Sequence, residues 1–525
     1  MASPTTTDPS TIDGGFVRPK MSQRDILFAM SGLMLAMLLA VLDQTVVSTA
    51  LWTIVRDLDP AHGLSHLSWV ITAYLLTSTA SQPLYGKISD LYGRKKIFMV
   101  SIVLFLIGSA LCGQAGNLTT LIIFRGLQGL GAGGLMSLAM AIMGDMVSPR
   151  ERGKYSGMFG IVFGAGSVLG PLVGGWLTDH HHFIGLVTDW RWVFYINVPL
   201  GILALLVIQK VVHLPKYKRE HHIDYFGAAL MVAGVSALLL VTEWGGQQYD
   251  WLSPQILGLI AAVVVFLGSF LYRESKADEP ILSLHLFKNS VVRIALPVLF
   301  IMGAALFGSL VYVSLYFQIV NGLSPTSAGL HLIPMTLGMI PVSIIVGRII
   351  SKTGKYRIFP MVGMALVSIA VALMGMLRVD TPSWHISLYL FLLGMGMGQV
   401  MQVVTLAVQN AIPPREMGAG TAAIGFFRSL GGAIGSAAFG ALLTSRLAHN
   451  LHSGGSGTGQ LNAEAIHKLP MAVQHVIFEA FTKSTNTVFL VAAGVTAVGF
   501  ILTLFLPEMK LRDNEQHDTA KVEAA

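Results

Sequence analysis

Gly86-Lys87-Ile88-Ser89-Asp90-Leu91-Tyr92-Gly93-Arg94-Lys95-Lys96 joins two long apolar runs, and Gly347-Arg348-Ile349-Ile350-Ser351-Lys352-Thr353-Gly354-Lys355 repeats its frame 261 residues later. A second pair of segments makes the repetition firm. Pro149-Arg150-Glu151-Arg152-Gly153 returns as Pro414-Arg415-Glu416-Met417-Gly418 at an offset of 265, where Gly160, Gly166, Gly170 and Gly175 fall on Gly425, Gly431, Gly435 and Gly440. Chance does not align that many glycines. The chain is built from two related halves, and what lies between the repeated segments decides what kind of halves they are.

That material is apolar. Of 525 residues, 53% belong to the strongly apolar set and 12% are charged, against about 25% charged in a soluble domain. With a mean hydropathy of +0.67, the surface itself must be apolar and its solvent lipid. A soluble enzyme, a disordered chain and a collagen-like repeat are excluded, and Cys112, the only cysteine, excludes a disulfide scaffold. A spanning helix needs about 20 apolar residues. Fourteen such runs lie near 26–48, 68–88, 97–116, 119–143, 154–177, 191–211, 224–243, 254–272, 292–319, 326–349, 358–377, 386–411, 418–443 and 487–506.

The two offsets pair the first six runs with the last six and leave the seventh and eighth as an insertion. The expected organisation is a disordered tail over 1–24, a six-helix half over 25–213, the inserted pair over 214–273, a second half over 274–507 and a tail over 508–525. The second half includes an outer loop at 444–485, with a Gly/Ser-rich start and a helix-like stretch around Asn462 to Phe481 suited to the membrane surface. The polar start lacks a basic n-region, a short apolar core and a cleavage site, so no signal peptide is expected. No lipidation or retrieval motif closes the chain. Parallel six-helix repeats are a common plan of secondary transporters, with the substrate site between the halves near the midplane.

The basic residues give the orientation. With the N-terminus in the cytoplasm, 26 of the 34 Lys and Arg fall in cytoplasmic segments and six in outer loops (Arg56, Arg191, Arg378, Arg446, Lys468 and Lys483). A bias of that size is the positive-inside signal. It places both termini in the cytoplasm and the protein in the cell membrane, and it accounts for the net charge of +7 without nucleic acid. The other two cations, Arg125 and Arg428, lie inside runs.

Charges at membrane depth mark function. Asp43 stands 17 residues past Ile26, about 26 Å along a helix. A carboxylate there is costly when ionised, which suits it to load and release a proton; a static pairing role within the bundle is the alternative. Arg125 stays charged and must be matched by a carboxylate, carbonyls or water, and Gln128 shares its face at i, i+3. Between the second and third runs, the glycines allow a tight turn and Asp90 lies among cations, as in a breakable ionic latch. An ordinary basic loop is the other reading. Gly166, Gly170 and Gly174 stand four apart on one face of the fifth run, where they admit a close neighbour, and Pro171 bends that helix locally. Ser436 stands where the second half would repeat the proline.

Other features carry less weight. Trp52, Tyr74, Gln128, Phe317, Gln318, Gln402 and Arg428 are candidate residues of a substrate cavity, with Gln409 a further one. His180, His181 and His182 read as a solvated loop more readily than a metal site, and Glu243 as an interfacial carboxylate. The 25 methionines read mostly as apolar packing. No Gly-Lys-Ser/Thr phosphate loop exists, so ATP is not the fuel. No cofactor or metal is expected, and an ion gradient remains as the energy source.

The Gly86–Arg94 loop resembles the signature of the major facilitator superfamily. Arg125-Gly-Leu-Gln128-Gly129-Leu-Gly131, Gly164-Ala-Gly166-Ser-Val-Leu-Gly170-Pro171-Leu-Val-Gly174-Gly175 and Leu42-Asp43-Gln44-Thr45-Val46-Val47 narrow the resemblance to its fourteen-helix drug:proton antiporters. It runs from about Asp25 to Pro507 and includes Trp190-Arg191-Trp192-Val-Phe-Tyr-Ile-Asn197-Val-Pro199 and Arg428-Ser-Leu-Gly431-Gly432. The resemblance implies proton coupling by Asp43 and Arg125, a conformational latch at Gly86, Asp90, Gly93 and Arg94, and an export role for Gly166, Gly170, Pro171, Gly174 and Gly175. The ninth and tenth runs carry no acid, which departs from members that take divalent cations.

The expected protein is an all-α, fourteen-helix carrier, not an enzyme. It would act as a monomer in the bilayer, exporting small lipophilic, cationic drugs or antibiotics in exchange for protons by alternating access. A carrier of the same fold dedicated to one metabolite or natural product is the alternative. A membrane enzyme or receptor is disfavoured, since no Asp-rich metal motif and no soluble catalytic domain is present in the sequence.

Overall fold

The computed structural model describes residues 23–511, without 60–66, 148, 179–181, 184, 185, 188, 212–223, 247, 278, 279, 283, 324, 414, 415 and 452–469. Lipid offers a backbone no hydrogen-bond partner, so apolar runs of this length fold as helices, whose bonds close within the segment. The described helices follow the expected runs in order: α1 (Gln23–Leu58), α2 (Leu67–Tyr92), α3 (Arg94–Gly113), α4 (Leu118–Met146), α5 (Pro149–Thr178), α6 (Trp192–Val211) and α7 (Tyr225–Trp244). They continue with α8 (Pro254–Glu274), α9 (Ser290–Ile319), α10 (Ile333–Thr353), α11 (Ile358–Met374), α12 (Ser383–Ala411), α13 (Met417–Asn450) and α14 (Met471–Leu504). Among the described residues, eleven helical stretches are long and apolar enough to cross a membrane; α2, α5 and α11 lie outside that set, α11 having 17 residues.

Side-chain caps start several of them. Asn117 accepts from Thr120 N–H at 2.8 Å, Asp224 from Gly227 N–H at 2.9 Å and Asn289 from Val291 N–H at 2.9 Å, each taking up an otherwise unpaired donor of a first turn.

The repeat is visible in the packing. In the first half α1 lies on α5, α2 on α4, α3 on α4, and α6 on α1 and α3; in the second α9 lies on α13, α10 on α12, α11 on α12, and α14 on α9 and α11. Between the halves α5 meets α10 and α2 meets α13, the same pairing read in both directions. Gly93 (φ 94°) and Gly354 (φ 69°), corresponding positions of the two copies, both adopt the left-handed conformation that a side chain would strain. The inserted pair packs through α7 on α2 and α13, while α8 buries little beyond its contact with α7. At its foot, Arg273 pairs with Asp224 at 2.9 Å, and Glu274 accepts the N–H groups of Ile281 and Leu282 at 3.1 and 3.2 Å. The connection into α9 is held there.

Two expectations need correction. The segment 444–485 is not one loop: α13 runs to Asn450 and α14 begins at Met471, so both ends of the segment are helical. Hydropathy falls before helicity does, because polar turns beyond the hydrocarbon still close their backbone bonds and can pair His475–Glu479 and Lys483–Glu479 at i, i+4. The surface stretch around Asn462 to Phe481 is, over its described part, the start of α14. The connection from α5 to α6 adds a small antiparallel hairpin, His182–Phe183 with Leu186–Val187; His180 and His181 lie outside the described residues.

Glycine sets how closely helices approach, as the α3–α4 seam shows. A Cβ on Gly131 would strike the backbone N of Phe105 and lie 2.7 Å from Ser101 O, and one on Gly108 would lie 2.5 Å from Gln128 Cα. The related seam of α11 on α12 has Gly363 against Gly396 O at 2.8 Å. Backbone cannot rotate aside, so Gly131→Leu is expected to cost about 3 kcal/mol, the upper part of the usual overpacking range. Thermal unfolding of the purified protein in detergent checks this; a melting temperature equal to the parent's would mean that the seam yields.

Candidate functional site

Asp43, on α1, is 1% exposed and pairs with Arg125 of α4, whose Nη1 lies 2.5 Å from Oδ2. Gln128 Nε2 donates to Asp43 Oδ1 at 2.7 Å, and Asn197 Nδ2 of α6 donates to the same oxygen at 3.0 Å. Arg125 has further partners: Nε donates to Val70 O at 3.2 Å, Nη1 to Gln128 Oε1 at 2.8 Å, and the guanidinium lies over the Tyr74 ring at 4.2 Å. Asn197 Nδ2 also donates to Ser109 Oγ of α3 at 3.0 Å, and Ser109 donates to Phe194 O at 2.9 Å. A buried ion pair is tolerable only with its lone pairs and protons satisfied, and four helices satisfy this one. Asp43 and Arg125, left uncertain as partners by their spacing, are in direct contact.

Asn197 is the member that sequence reasoning missed. It sits in a segment otherwise read for its resemblance, yet a lone amide within an apolar run was the available signal. That segment holds α1 twice. Asn197 reaches Asp43, and near the C-terminal end of α1 Trp190 Nε1 donates to Asp57 Oδ2 at 2.8 Å.

The glycines of α5 lie directly on the Asp43 segment. A Cβ on Gly166 would strike Val41, one on Gly170 would strike Thr45, and one on Gly174 would lie 3.0 Å from Val46 O; Thr45 Oγ1 also donates to Gly166 O at 3.1 Å. Gly164 faces the other way, where a Cβ would strike Thr336 of α10. Gly175 meets nothing within 4 Å, so it is not part of this seam. Pro171 stands within α5, which continues unbroken to Thr178; its side chain is outside the described residues. α5 is thus wedged between the acid-bearing helix of one half and α10 of the other.

At the end carrying the α2–α3 loop, Asp90 bridges the halves. Its Oδ1 and Oδ2 accept the N–H groups of Gly418 and Ala419 at 3.0 and 2.9 Å, capping the first turn of α13, where the helix dipole favours an anion. Arg94 lies 2.8 Å from Asp90 Oδ1 and 3.0 Å from Asp145 Oδ2 of α4. Gly86 lets α13 approach: a Cβ there would be 2.5 Å from Ala422 Cβ and 2.7 Å from Gly418 O. Ser351, the counterpart of Asp90, has no carboxylate to offer, so this latch belongs to one half only. Asp145 was not foreseen, being masked in the sequence by its place at the end of an apolar run.

A second bridge lies beside it. Arg152, fully buried, donates to Gly144 O and Val147 O from within the first half and to Gln409 Oε1 of α12 at 3.4 Å. Gln409 Nε2 returns to Met140 O at 3.3 Å and Thr421 Oγ1 at 3.2 Å. Deeper, Gln82 Nε2 of α2 donates to Ser429 Oγ of α13 at 3.3 Å, and Arg428 Nη2 reaches Met136 Sδ of α4 at 3.6 Å.

The cavity candidates separate. Tyr74 and Gln128 join the Asp43 cluster, and Arg428 sits where α13 faces α4. Phe317 packs on His331 at 4.9 Å, and Gln318 donates to Ser314 of its own helix. Gln402 lines a small cavity with Ser343 and Gly398. Trp52 lies in α1, its side chain outside the described residues.

The profile of the Major Facilitator Superfamily matches residues 33–436. An uncharacterized MFS-type transporter of Mycobacterium tuberculosis is 40% identical over 527 residues, covering 99% of this chain and 75% of its own. The multidrug transporter protein MdtP of Bacillus subtilis is 36% identical, covering 96% and 97% of the two chains, and multidrug resistance protein 3 of the same organism is 35% identical, covering 93% and 97%. Among solved structures, the proton:xylose symporter XylE bound to 6-bromo-6-deoxy-D-glucose superposes with a TM-score of 0.65 at 15% identity, over 95% of this chain and 100% of that one. The human organic anion transporter TETRAN gives 0.63 at 16%, over 91% and 99%. These last two likenesses are of fold.

Asp90→Ala removes one ion pair and both cross-half bonds to a charged acceptor, each such bond being worth about 1.5–3 kcal/mol. Spin labels on α2 and α13 at this end are expected to show a longer mean separation in the variant. An unchanged distance distribution would mean that the halves are held together elsewhere.

Proposed function

The chain belongs to the major facilitator superfamily, a multi-pass membrane carrier of small molecules and not an enzyme, and from that premise we propose that it exports lipophilic, cationic drugs in exchange for protons. One observation carries the reading: a single carboxylate, Asp43, buried at membrane depth in a cluster whose described polar contacts are all donors to it. The relatives named as multidrug transporters support the substrate class. The proton gradient is the energy source, with no resident cofactor, and each charge moved through 100 mV contributes about 2.3 kcal/mol. The bias of basic residues supports a cell-membrane protein with both termini in the cytoplasm, working as a monomer.

The cycle follows from the contacts. Ionised, Asp43 ties α1 to α4 and α6. Protonated, it no longer balances Arg125, and the tie weakens while the cation keeps Val70 O, Gln128 Oε1 and the Tyr74 face. Because α1 rests on the glycine face of α5 and α5 abuts α10 at Gly164, a shift of α1 reaches the other half through one rigid helix. Opening at the latch end then requires Asp90 to leave the first turn of α13. Substrate and proton alternate in this scheme because the two states of Asp43 favour different arrangements of the halves.

Asp43→Asn keeps the size of the side chain and removes its charge and its proton. Ethidium uptake into inverted vesicles driven by an imposed pH gradient, acid inside, is expected to fall by about a hundredfold, roughly 2.7 kcal/mol, with ethidium binding retained. Gradient-driven transport at the parent's rate by that variant would refute the proton role.

A further inference from the structure

Resting on the reading of Asp43 as the proton carrier, we propose that Asn197 is a positioning residue whose side-chain amide reports the protonation state of Asp43 by turning over. Asn197 is 1% exposed. Its Nδ2 donates to Asp43 Oδ1 and to Ser109 Oγ, each at 3.0 Å, while its Oδ1 is buried without a hydrogen-bond partner. A buried acceptor left unpaired is costly, and in most sites a buried amide avoids it. Here it lies one half-turn of χ2 away from the carboxylate.

The donor and acceptor balance shows what that acceptor is for. Ionised Asp43 accepts from Arg125 at Oδ2 and from both Gln128 and Asn197 at Oδ1, so the two lone pairs of Oδ1 are both taken. When a proton from outside the site binds Oδ1, the new hydroxyl needs an acceptor. Gln128 Oε1 already accepts from Arg125 Nη1 at 2.8 Å and from Cys112 Sγ at 3.6 Å. Asn197 Oδ1 is the acceptor at hand: rotating the amide puts it where Nδ2 stood, to accept from Asp43 Oδ1–H. Ser109, a hydroxyl that rotates freely, then donates to Asn197 in place of Phe194 O. The amide keeps both hydrogens, one proton is gained by the carboxylate, and the bond given up is that of Ser109 to Phe194 O. Either orientation leaves one amide atom unpaired, so the two states carry similar costs and neither is locked.

The charged and titratable groups facing the carboxylate fit this account. α4 presents Arg125, which remains a cation; α2 presents Tyr74 over that guanidinium and α3 presents Cys112 against Gln128. α5 presents glycine and α6 the neutral Asn197. Of these, only Asn197 exchanges donor for acceptor without changing charge and with an acceptor to spare. The turn of the amide also releases Phe194 O at the start of α6, which carries the change from Asp43 into the segment holding Asp57 near the C-terminal end of α1.

The test uses the full chain in lipid nanodiscs, with Asn side-chain carbonyls labelled with carbon-13, and infrared difference spectra between high and low pH. The band lost in Asn197→Leu identifies Asn197. It is expected to move to lower frequency together with the appearance of a protonated carboxyl band that Asp43→Asn abolishes. A carboxyl band with no movement of the Asn197 band would overturn this inference and leave the proton reading standing; no carboxyl band at any pH would remove both. Asn197→Leu deletes a charge-assisted bond to the ionised form and a weaker neutral one to the acid, so the Asp43 midpoint rises by about one pH unit, a tenfold gain in proton affinity. Asn197→Ser, whose hydroxyl both donates and accepts, brings the midpoint back toward the parent's. A loss of ethidium extrusion in Asn197→Leu with an unmoved midpoint would show a purely structural residue.

Discussion

An ion pair sealed inside an apolar bundle constrains everything around it. Removing a carboxylate and a guanidinium from water costs more than their attraction returns unless further hydrogen bonds complete both groups, and Asp43 and Arg125 are each only 1% exposed. Completion has to come from side chains on other helices. That requirement fixes Gln128 one turn from Arg125, places Asn197 within an apolar run, and makes a carbonyl of α2 accept from Arg125 Nε. The close approach that lets these short side chains reach one another is supplied by glycine: at Gly108 and Gly131 between α3 and α4, and at Gly166, Gly170 and Gly174 between α5 and α1. The motif glycines and the motif charges are one structure seen from two sides.

The duplication gives the molecule its frame, and function lies where the copies differ. Helix packing obeys the repeat nearly throughout, as does the left-handed glycine that ends both copies of the short loop. The charges do not obey it. Asp43 has no acidic counterpart in α9, and Asp90 is answered by Ser351. At the position matching Arg152 stands Met417, and both side chains come to the same glycine: a Cβ on Gly144 would lie 3.4 Å from Met417 Sδ and 3.6 Å from Arg152 Cζ. One copy supplies the cation that bonds across the interface and the other supplies the apolar surface it lies beside. A symmetric pair of cations at that point would repel, so the divergence is what lets the halves close.

Much of this was legible in the chain. The apolar runs, the offsets of 261 and 265 and the latch loop led to the arrangement of halves, and the depth of Asp43 and Arg125 marked the site. Three things were not. The length of α13 and α14 beyond the hydrocarbon escaped because hydropathy reports the solvent and not the backbone. Asn197 and Asp145 escaped because a polar residue in an apolar run declares only that it has partners, and partners 154 residues away in the case of Asn197 and Asp43 are set by tertiary packing. The cavity candidates scattered for the opposite reason: an aromatic or an amide in a spanning helix is as readily satisfied by its own turn, as Gln318 is by Ser314, as by a ligand.

The position of α5 explains why coupling over this distance needs no long wire. Coupling requires an element with two arrangements that both sites bias. α5 touches α1 through a smooth glycine face and α10 through Gly164, Ile340 and Thr336, and a face without side chains can slide where interlocked side chains cannot. The described polar ties of α5 to its surroundings are few and directional: Thr45 Oγ1 to Gly166 O on one side, and Arg152 to Gly144 O, Val147 O and Gln409 Oε1 near its start. On the proposed reading of Asp43 as the proton carrier, its charge state would be felt, through α1 and α5, as a position of α10 in the other half.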